Sequence, residues 1–218
     1  MSINAGKHVW IYDIETIINE KAKAHLASAD LGYDSRLKDP AKIEVSRAEK
    51  REAAMEKGAL YWWYGQIVSI SCMDMETGGI LLWRGLNELE NISKFFNAVR
   101  HLSGAKDVLL VGKNNSTFDD GYLIGRCLAL DIGTPDFLRR SSIVSDIDQL
   151  FAYRSGSASV GKLSEYAFGI GMSKAADGSQ VGAMVAAGEW DKLGDYNIQD
   201  VKITADIYER YNKDYIYG

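Results

Sequence analysis

The sequence is short of several things, and each shortage removes a class of protein. It has two cysteines, Cys72 and Cys127, both in apolar stretches and without CxxC spacing. They read as buried free thiols of a reducing cytosol rather than as a metal or redox pair. No apolar run approaches the length of a bilayer span, and the opening MSINAGKHVWIYD lacks the apolar core of a signal peptide. A cytoplasmic protein with no membrane partner is therefore expected. A basic excess is missing too, since the formal net charge is −5. That argues against tight sequence-specific binding to duplex DNA. It does not argue against an enzyme that grips a few nucleotides, because clustered acids lower the net charge by themselves. Neither an internal repeat nor a low-complexity linker interrupts the chain. With 218 residues, 46% hydrophobic and 25% charged, it is expected to fold as a single domain, 1–218, carrying an insertion.

What is present begins with an apolar run that ends in acid. HVWIYDIE (8–15) reads as a strand centred on Val9, Trp10 and Ile11. Residues 19–37 show no clean period and read as an irregular excursion. DPAKIEVSRAEKREAAMEKG (39–58) opens with Asp-Pro and closes with Gly58, the start and stop signals of a helix. It is either a solvated helix or a substrate-guiding arm, and it makes 19–65 a partly helical insertion. QIVSISCMDMETGGILLWRG (66–85) predicts a hairpin turning at Thr77-Gly78-Gly79. NELENISKFFNAVRHL (87–102) predicts an amphipathic helix carrying Leu89, Ile92, Phe95, Phe96 and Val99. KDVLLVG (106–112) is a buried strand, 116–130 a further helix, and SSIVSDIDQLF (141–151) holds a short strand or its edge. GKLSEYAFGIG (161–171) and residues 180–187 suggest short helices. The last helix, from about Glu189 to Tyr211, spaces Leu193, Tyr196, Val201, Thr204, Ile207, Tyr208 and Tyr211 at helical intervals. A hairpin followed by helix-connected strands predicts an α/β domain, with a mixed sheet of roughly five strands flanked by helices.

Within WIYDIET (10–16), Asp13 and Glu15 stand two positions apart, so on a strand they share a face. Two like charges facing one way imply either loop amides around them or a cation between them. Further acids sit where they could join. Asp119, in VGKNNSTFDDGYL, follows a buried strand at the start of a helix. Asp200, in DYNIQDVKITADIY, lies inside the last helix, with Tyr196 four residues earlier on the same face. Asp146 and Asp148, beside the short strand, are weaker candidates.

Taken in order, YDIET, GKNNSTFDDGYL and YNIQD resemble the three motifs of the DEDD superfamily (DnaQ-like) of 3′–5′ exonucleases: Asp-x-Glu, Asn-x₃-Phe-Asp and Tyr-x₃-Asp. The similarity is to the exonuclease domain of family B DNA polymerases and to its stand-alone, predicted exonuclease relatives, and it runs from about residue 8 to 211. The resemblance implies an RNase H-like fold and phosphodiester hydrolysis assisted by two divalent cations, Mg²⁺ or Mn²⁺. Asp13, Glu15, Asp119 and Asp200 would be the metal ligands. By analogy, Asp13 would bridge both ions, Glu15 and Asp200 would hold the ion on the water side, and Asp119 would support the leaving-group side. Tyr196 would orient the attacking water. The superfamily's histidine branch carries a His five residues before the last Asp, where this chain has Asp195. His8, His25 and His101 all lie outside the motif, so the tyrosine branch fits.

The expected activity is release of nucleoside 5′-monophosphates from the 3′ end of single-stranded DNA. The alternatives are a 3′–5′ exoribonuclease and a non-cleaving nucleic-acid-binding accessory of a polymerase. Expected partners are single-stranded 3′ ends and a DNA polymerase or a replication or repair complex, in a bacterial cytosol or, for a virus-encoded protein, the host cytosol. Candidate substrate contacts are Thr16, Asn114, Phe118 and Lys162. Asn114 would meet the 3′-terminal nucleotide, and Phe118 would stack on a base or pack in the core. Lys113, where relatives often show His, is either a phosphate contact or a surface lysine. Asp120 reads as solvent-facing. GSASVGKL (156–163) nearly spells a phosphate-binding loop, but Leu163 stands where a Mg²⁺-holding hydroxyl is needed. LYWWYGQ (60–66), with Trp62 and Trp63, suits base stacking or a structural cluster equally.

Overall fold

Side-chain alternation along one strand decides most of the architecture. In the structure, a computed structural model, residues 6–104, 106–139, 146–147 and 178–216 are described, and strand β1 spans Lys7–Ile18. It is followed by α1 (Glu20–Ser28), α2 (Pro40–Lys57), β2 (Gly65–Asp74), β3 (Ile80–Arg84), α3 (Glu88–Ser103) and β4 (Asp107–Val111). Helices α4 (Asp119–Ala129), α5 (Asp136–Arg139), α6 (Val181–Ala186) and α7 (Trp190–Ile216) complete the described chain.

Among the described residues the sheet has four strands in the order β3-β2-β1-β4, one fewer than the roughly five expected. β1 pairs in parallel with β4, from Lys7 opposite Asp107 to Ile11 opposite Val111, whereas β2 and β3 are antiparallel. The sheet is therefore mixed and flanked by helices, as in the RNase H-like α/β fold. The missing strand was expected within 141–151. Only Asp146 and Ile147 of that stretch are described, and Asp146 makes an isolated parallel bridge to Gly112. The short helix expected at 161–171 lies outside the described residues.

Alternate residues of β1 enter two different cores. Val9 and Ile11, with Leu109 and Val111 of β4, pack against Val201, Ala205, Ile207 and Tyr208 of α7. Trp10 and Tyr12 point the other way: the Tyr12 ring centroid lies 5.9 Å from that of Phe95 on α3, and Trp10 Nε1 donates to Ser103 Oγ at 2.9 Å. Each such burial is worth about 1.5–3 kcal/mol, and a one-residue slip of β1 would exchange the two sets. The same alternation delivers Asp13 and Glu15 to the face covered by α7.

The hairpin turns where expected, with Gly78 at φ 73° and Asp74 accepting from Thr77 Oγ1 at 2.9 Å. Helix α2 is capped by Asp39 and buries none of its residues, so it is a solvated helix. Three expectations need correcting. Residues 19–37 are not wholly irregular: α1 starts there, capped by the Asn19 side chain, which accepts from Ala22 N at 2.8 Å. Only Ala22 and Leu26 of α1 are buried, one pair too few to print a period. Leu89 lies outside the core stripe of α3 and is 49% exposed, while Ile92, Phe95, Phe96 and Val99 are buried. The last helix continues to Ile216.

The chain forms two compact units, Met1–Glu15 with Ile67–Gly218, and Thr16–Gln66. Within the second, Asn19 N–H bonds to the Tyr64 carbonyl at 2.9 Å, and Gly58 lies so close to Ile18 that a Cβ would stand 2.5 Å from Ile18 Cδ1. Both cysteines are free and buried. No helix among the described residues is long and apolar enough to cross a membrane.

Candidate functional site

The end of β1 and the middle of α7 meet in a cluster of acids. Asp13 and Glu15 from β1 and Asp200 from α7 each offer a carboxylate oxygen, and these oxygens all lie within 4.8 Å of one another. Asp13 is half-buried, and Glu15 and Asp200 are buried. At an effective dielectric of about 20, two unit charges at that separation repel by about 3 kcal/mol. A set of hard oxygen donors at this spacing suits Mg²⁺ or Mn²⁺, whose charge would reverse the repulsion.

Helix α7 is fixed in register by its buried face and by a contact near its start. Leu193, Tyr196, Asn197, Asp200, Val201 and Thr204 form its buried face, at helical spacing. Near its start, the Arg84 guanidinium of β3 donates to the Trp190 carbonyl and to the Asp191 carboxylate. Gly194 permits this approach, since a Cβ there would stand 2.6 Å from Arg84 Nη1 and 2.7 Å from Leu82 Cδ2. Tyr196, buried one turn before Asp200, has its hydroxyl 3.9 Å from where a Cβ on Gly178 would stand.

Asn197 ties the cluster to the sheet. Its Nδ2 donates to Asp13 Oδ2 at 2.6 Å, and its Oδ1 accepts from Ser69 Oγ at 2.9 Å. Ser71 Oγ donates to the Asn197 carbonyl at 3.0 Å. Sequence reasoning passed over all three residues. The available signal was a pair of serines two apart inside an otherwise apolar strand, a spacing that turns both hydroxyls to one face.

A second acidic pair stands at the start of α4. Asp119 Oδ1 accepts from the Ile14 backbone N–H at 3.3 Å, which places it beside β1 between Asp13 and Glu15 in sequence but outside the cluster defined above. Burial, and then the neighbouring Asp120 charge, push its carboxyl up to about 7. Asp120 is not solvent-facing as expected. It is 5% exposed and accepts a hydrogen bond from the Tyr12 hydroxyl, the side chain that β1 alternation sends to this face. Burial, reinforced by the Asp120 and Asp119 charges, raises the Tyr12 phenol well above its usual value.

The loop between β4 and α4 is held by Asp146. Its carboxylate accepts from Asn114 N at 3.0 Å, from Ser116 N at 3.1 Å and from the Ser116 hydroxyl. Asp146 is thus a loop anchor; Asp148 lies outside the described residues. Gly112 begins the loop, where a Cβ would meet Asn115 Cβ at 2.9 Å. Asn114 is exposed, in the left-handed region at φ 61°, and its side-chain oxygen accepts from the Thr117 hydroxyl. Phe118 is half-buried, with its ring centroid 5.3 Å from that of Tyr122. Lys113 is half-buried.

Thr16 belongs to the unit Thr16–Gln66, where its hydroxyl donates to the Ala59 carbonyl at 2.8 Å. In that unit Trp63 is 52% exposed and stacks on Tyr61 at 4.9 Å between centroids, with Trp62 edge-on to it. Lys162 lies outside the described residues.

No protein-family model matches the sequence, and no curated protein sequence matches it. In structure the chain is similar to the family B DNA polymerase from the hyperthermophilic archaeon Pyrobaculum calidifontis, with a TM-score of 0.62 and 17% identity. The match covers 94% of this chain and 24% of the polymerase, so the chain spans about a quarter of that protein's length. At this identity the likeness shows the α/β fold alone.

Proposed function

We propose that the protein is a metal-dependent 3′–5′ exonuclease of the DEDD tyrosine branch, acting on single-stranded DNA and releasing nucleoside 5′-monophosphates. The observation that carries the reading is the convergence of Asp13, Glu15 and Asp200, with carboxylate oxygens within 4.8 Å, next to Tyr196 on the same helix. These three acids would hold Mg²⁺ or Mn²⁺, with Asp119 as the fourth acid of the site. Bound divalent cations supply Lewis-acid activation of water and stabilise the departing oxygen in phosphodiester hydrolysis.

The chain's own residues do the rest. Tyr196 offers a phenol that donates and accepts hydrogen bonds at neutral pH, which orients a water without deprotonating it. Asp119, bonded to the Ile14 N–H, holds the start of α4 against β1. The exposed Asn114 and the half-buried Phe118 are on the loop clasped by Asp146, where they would meet the terminal nucleotide. A splayed 3′ end reaches buried acids more readily than a paired one, which favours single strands.

A time course on 5′-labelled single-stranded DNA and RNA, with Mg²⁺, Mn²⁺ or EDTA, tests the reading. The expected result is a metal-dependent ladder shortening from the 3′ end, faster on DNA. A faster RNA ladder would make the protein an exoribonuclease. Absence of cleavage on both would overturn the nuclease reading in favour of a binding role.

A further inference from the structure

We propose that Asn197 is a positioning residue that fixes the direction of the Asp13 carboxylate for cation binding. The inference rests on the reading of Asp13, Glu15 and Asp200 as a cation site.

Asn197 is fully buried, and each end of its carboxamide has one assigned partner. An ionised carboxylate only accepts, so the amide nitrogen must face Asp13 and the amide oxygen must face Ser69. The Ser69 hydroxyl is then obliged to donate. This leaves one orientation for the amide, with no competing flip. Ser71, two residues along β2 and on the same face, fastens the Asn197 backbone carbonyl at 3.0 Å. Three elements therefore meet at one residue: β1 through Asp13, β2 through Ser69 and Ser71, and α7 through Asn197 itself.

The consequence for Asp13 is directional. A carboxylate gripped at Oδ2 at 2.6 Å keeps its other oxygen on a fixed bearing, so less freedom is lost when a cation binds. The amide N–H also places the positive end of a dipole against an acid cluster that is otherwise self-repelling. The Ser69 and Ser71 bonds already hook α7 to β2, and the bond to Asp13 adds a grip on a carboxylate of the acid cluster.

The test measures Mn²⁺ binding to the full chain by electron paramagnetic resonance, alongside thermal unfolding, and assays 3′ cleavage in the same samples. Asn197→Leu keeps the branching at Cγ, adds bulk, and leaves the buried Ser69 hydroxyl without its acceptor, so it should lose both stability and Mn²⁺ affinity. Ser69→Ala combined with Asn197→Leu replaces both partners by apolar groups, a change that can be nearly neutral for stability. The proposal requires this double variant to regain most of its melting temperature while Mn²⁺ binds about 10–100-fold more weakly than to wild type. Wild-type Mn²⁺ affinity in the refolded double variant would overturn it and leave Asn197 as a structural hook. A wild type that binds Mn²⁺ but cleaves neither DNA nor RNA would overturn the exonuclease reading alone, since the Mn²⁺ comparison still decides the role of Asn197. A wild type that binds no Mn²⁺ would overturn both.

Discussion

Two pairs of acids leave this chain within a few ångströms of the same strand, and they end in opposite circumstances. Asp13 and Glu15, two apart on β1, are joined by Asp200 and met by the amide of Asn197. Asp119 and Asp120, adjacent at the start of α4, are both buried, one against the Ile14 N–H and the other against the Tyr12 hydroxyl. The first group concentrates charge from two elements at one point, which a divalent cation would relieve. In the second, a phenol donor relieves Asp120, and burial with a like charge pushes Asp119 toward its protonated form. The difference lies in what faces each acid, not in the acids themselves. Alternation along β1 sets it, sending 13 and 15 to α7 and 12 to α4.

On that division, the largest effect belongs to the first group. Asp200→Ala should lower cleavage by about 10³-fold or more, equivalent to about 4 kcal/mol of transition-state stabilisation, with a near-native melting temperature. A variant retaining full activity, in a preparation shown free of other nucleases, would remove the cluster from the chemistry.

The next effect is one of pH and belongs to the second pair. A carboxyl raised from its ordinary value near 4 to about 7 stabilises the fold fully only below the lower value, and that stability is lost as pH rises through the upper one. Asp119→Asn keeps an acceptor for the Ile14 N–H and carries no titrating proton. In EDTA, its stability relative to wild type should therefore climb between pH 5 and pH 8, by on the order of 3 kcal/mol. A constant difference across that range would show that Asp119 is an ordinary carboxylate.

Smaller again is Tyr12→Phe, which takes the phenol donor from buried Asp120. It should cost about 1–3 kcal/mol of stability while leaving Mn²⁺ affinity within about twofold. A large loss of Mn²⁺ affinity would bring Asp120, besides Asp119, into the proposed cation site. Tyr196→Phe should have the mildest effect, slowing cleavage by about tenfold through loss of one hydrogen bond to water, with Mn²⁺ affinity unchanged.

What was legible in the sequence was local. The two-residue spacing of Asp13 and Glu15, the four-residue spacing of Tyr196 and Asp200, and the glycines of the hairpin each express a backbone period or a turn within a short window. What stayed hidden depends on partners far along the chain. Asn197 gains its meaning from Ser69, 128 positions away, and Asp120 is buried because Tyr12, 108 positions away, reaches it. Nothing beside Asp120 in sequence distinguishes it from a solvated acid at a helix start. Helix α1 escaped notice for a related reason, since its cap, Asn19, and two buried residues give propensity and pattern little to register.

The most direct test of the central claim is a Mn²⁺ titration, followed by electron paramagnetic resonance, of wild type, Asp200→Ala and Asp120→Asn. Mn²⁺ should bind wild type and Asp120→Asn alike and be lost from Asp200→Ala. Equal binding by all three, or loss confined to Asp120→Asn, would contradict the assignment of the cation site to the meeting of β1 and α7.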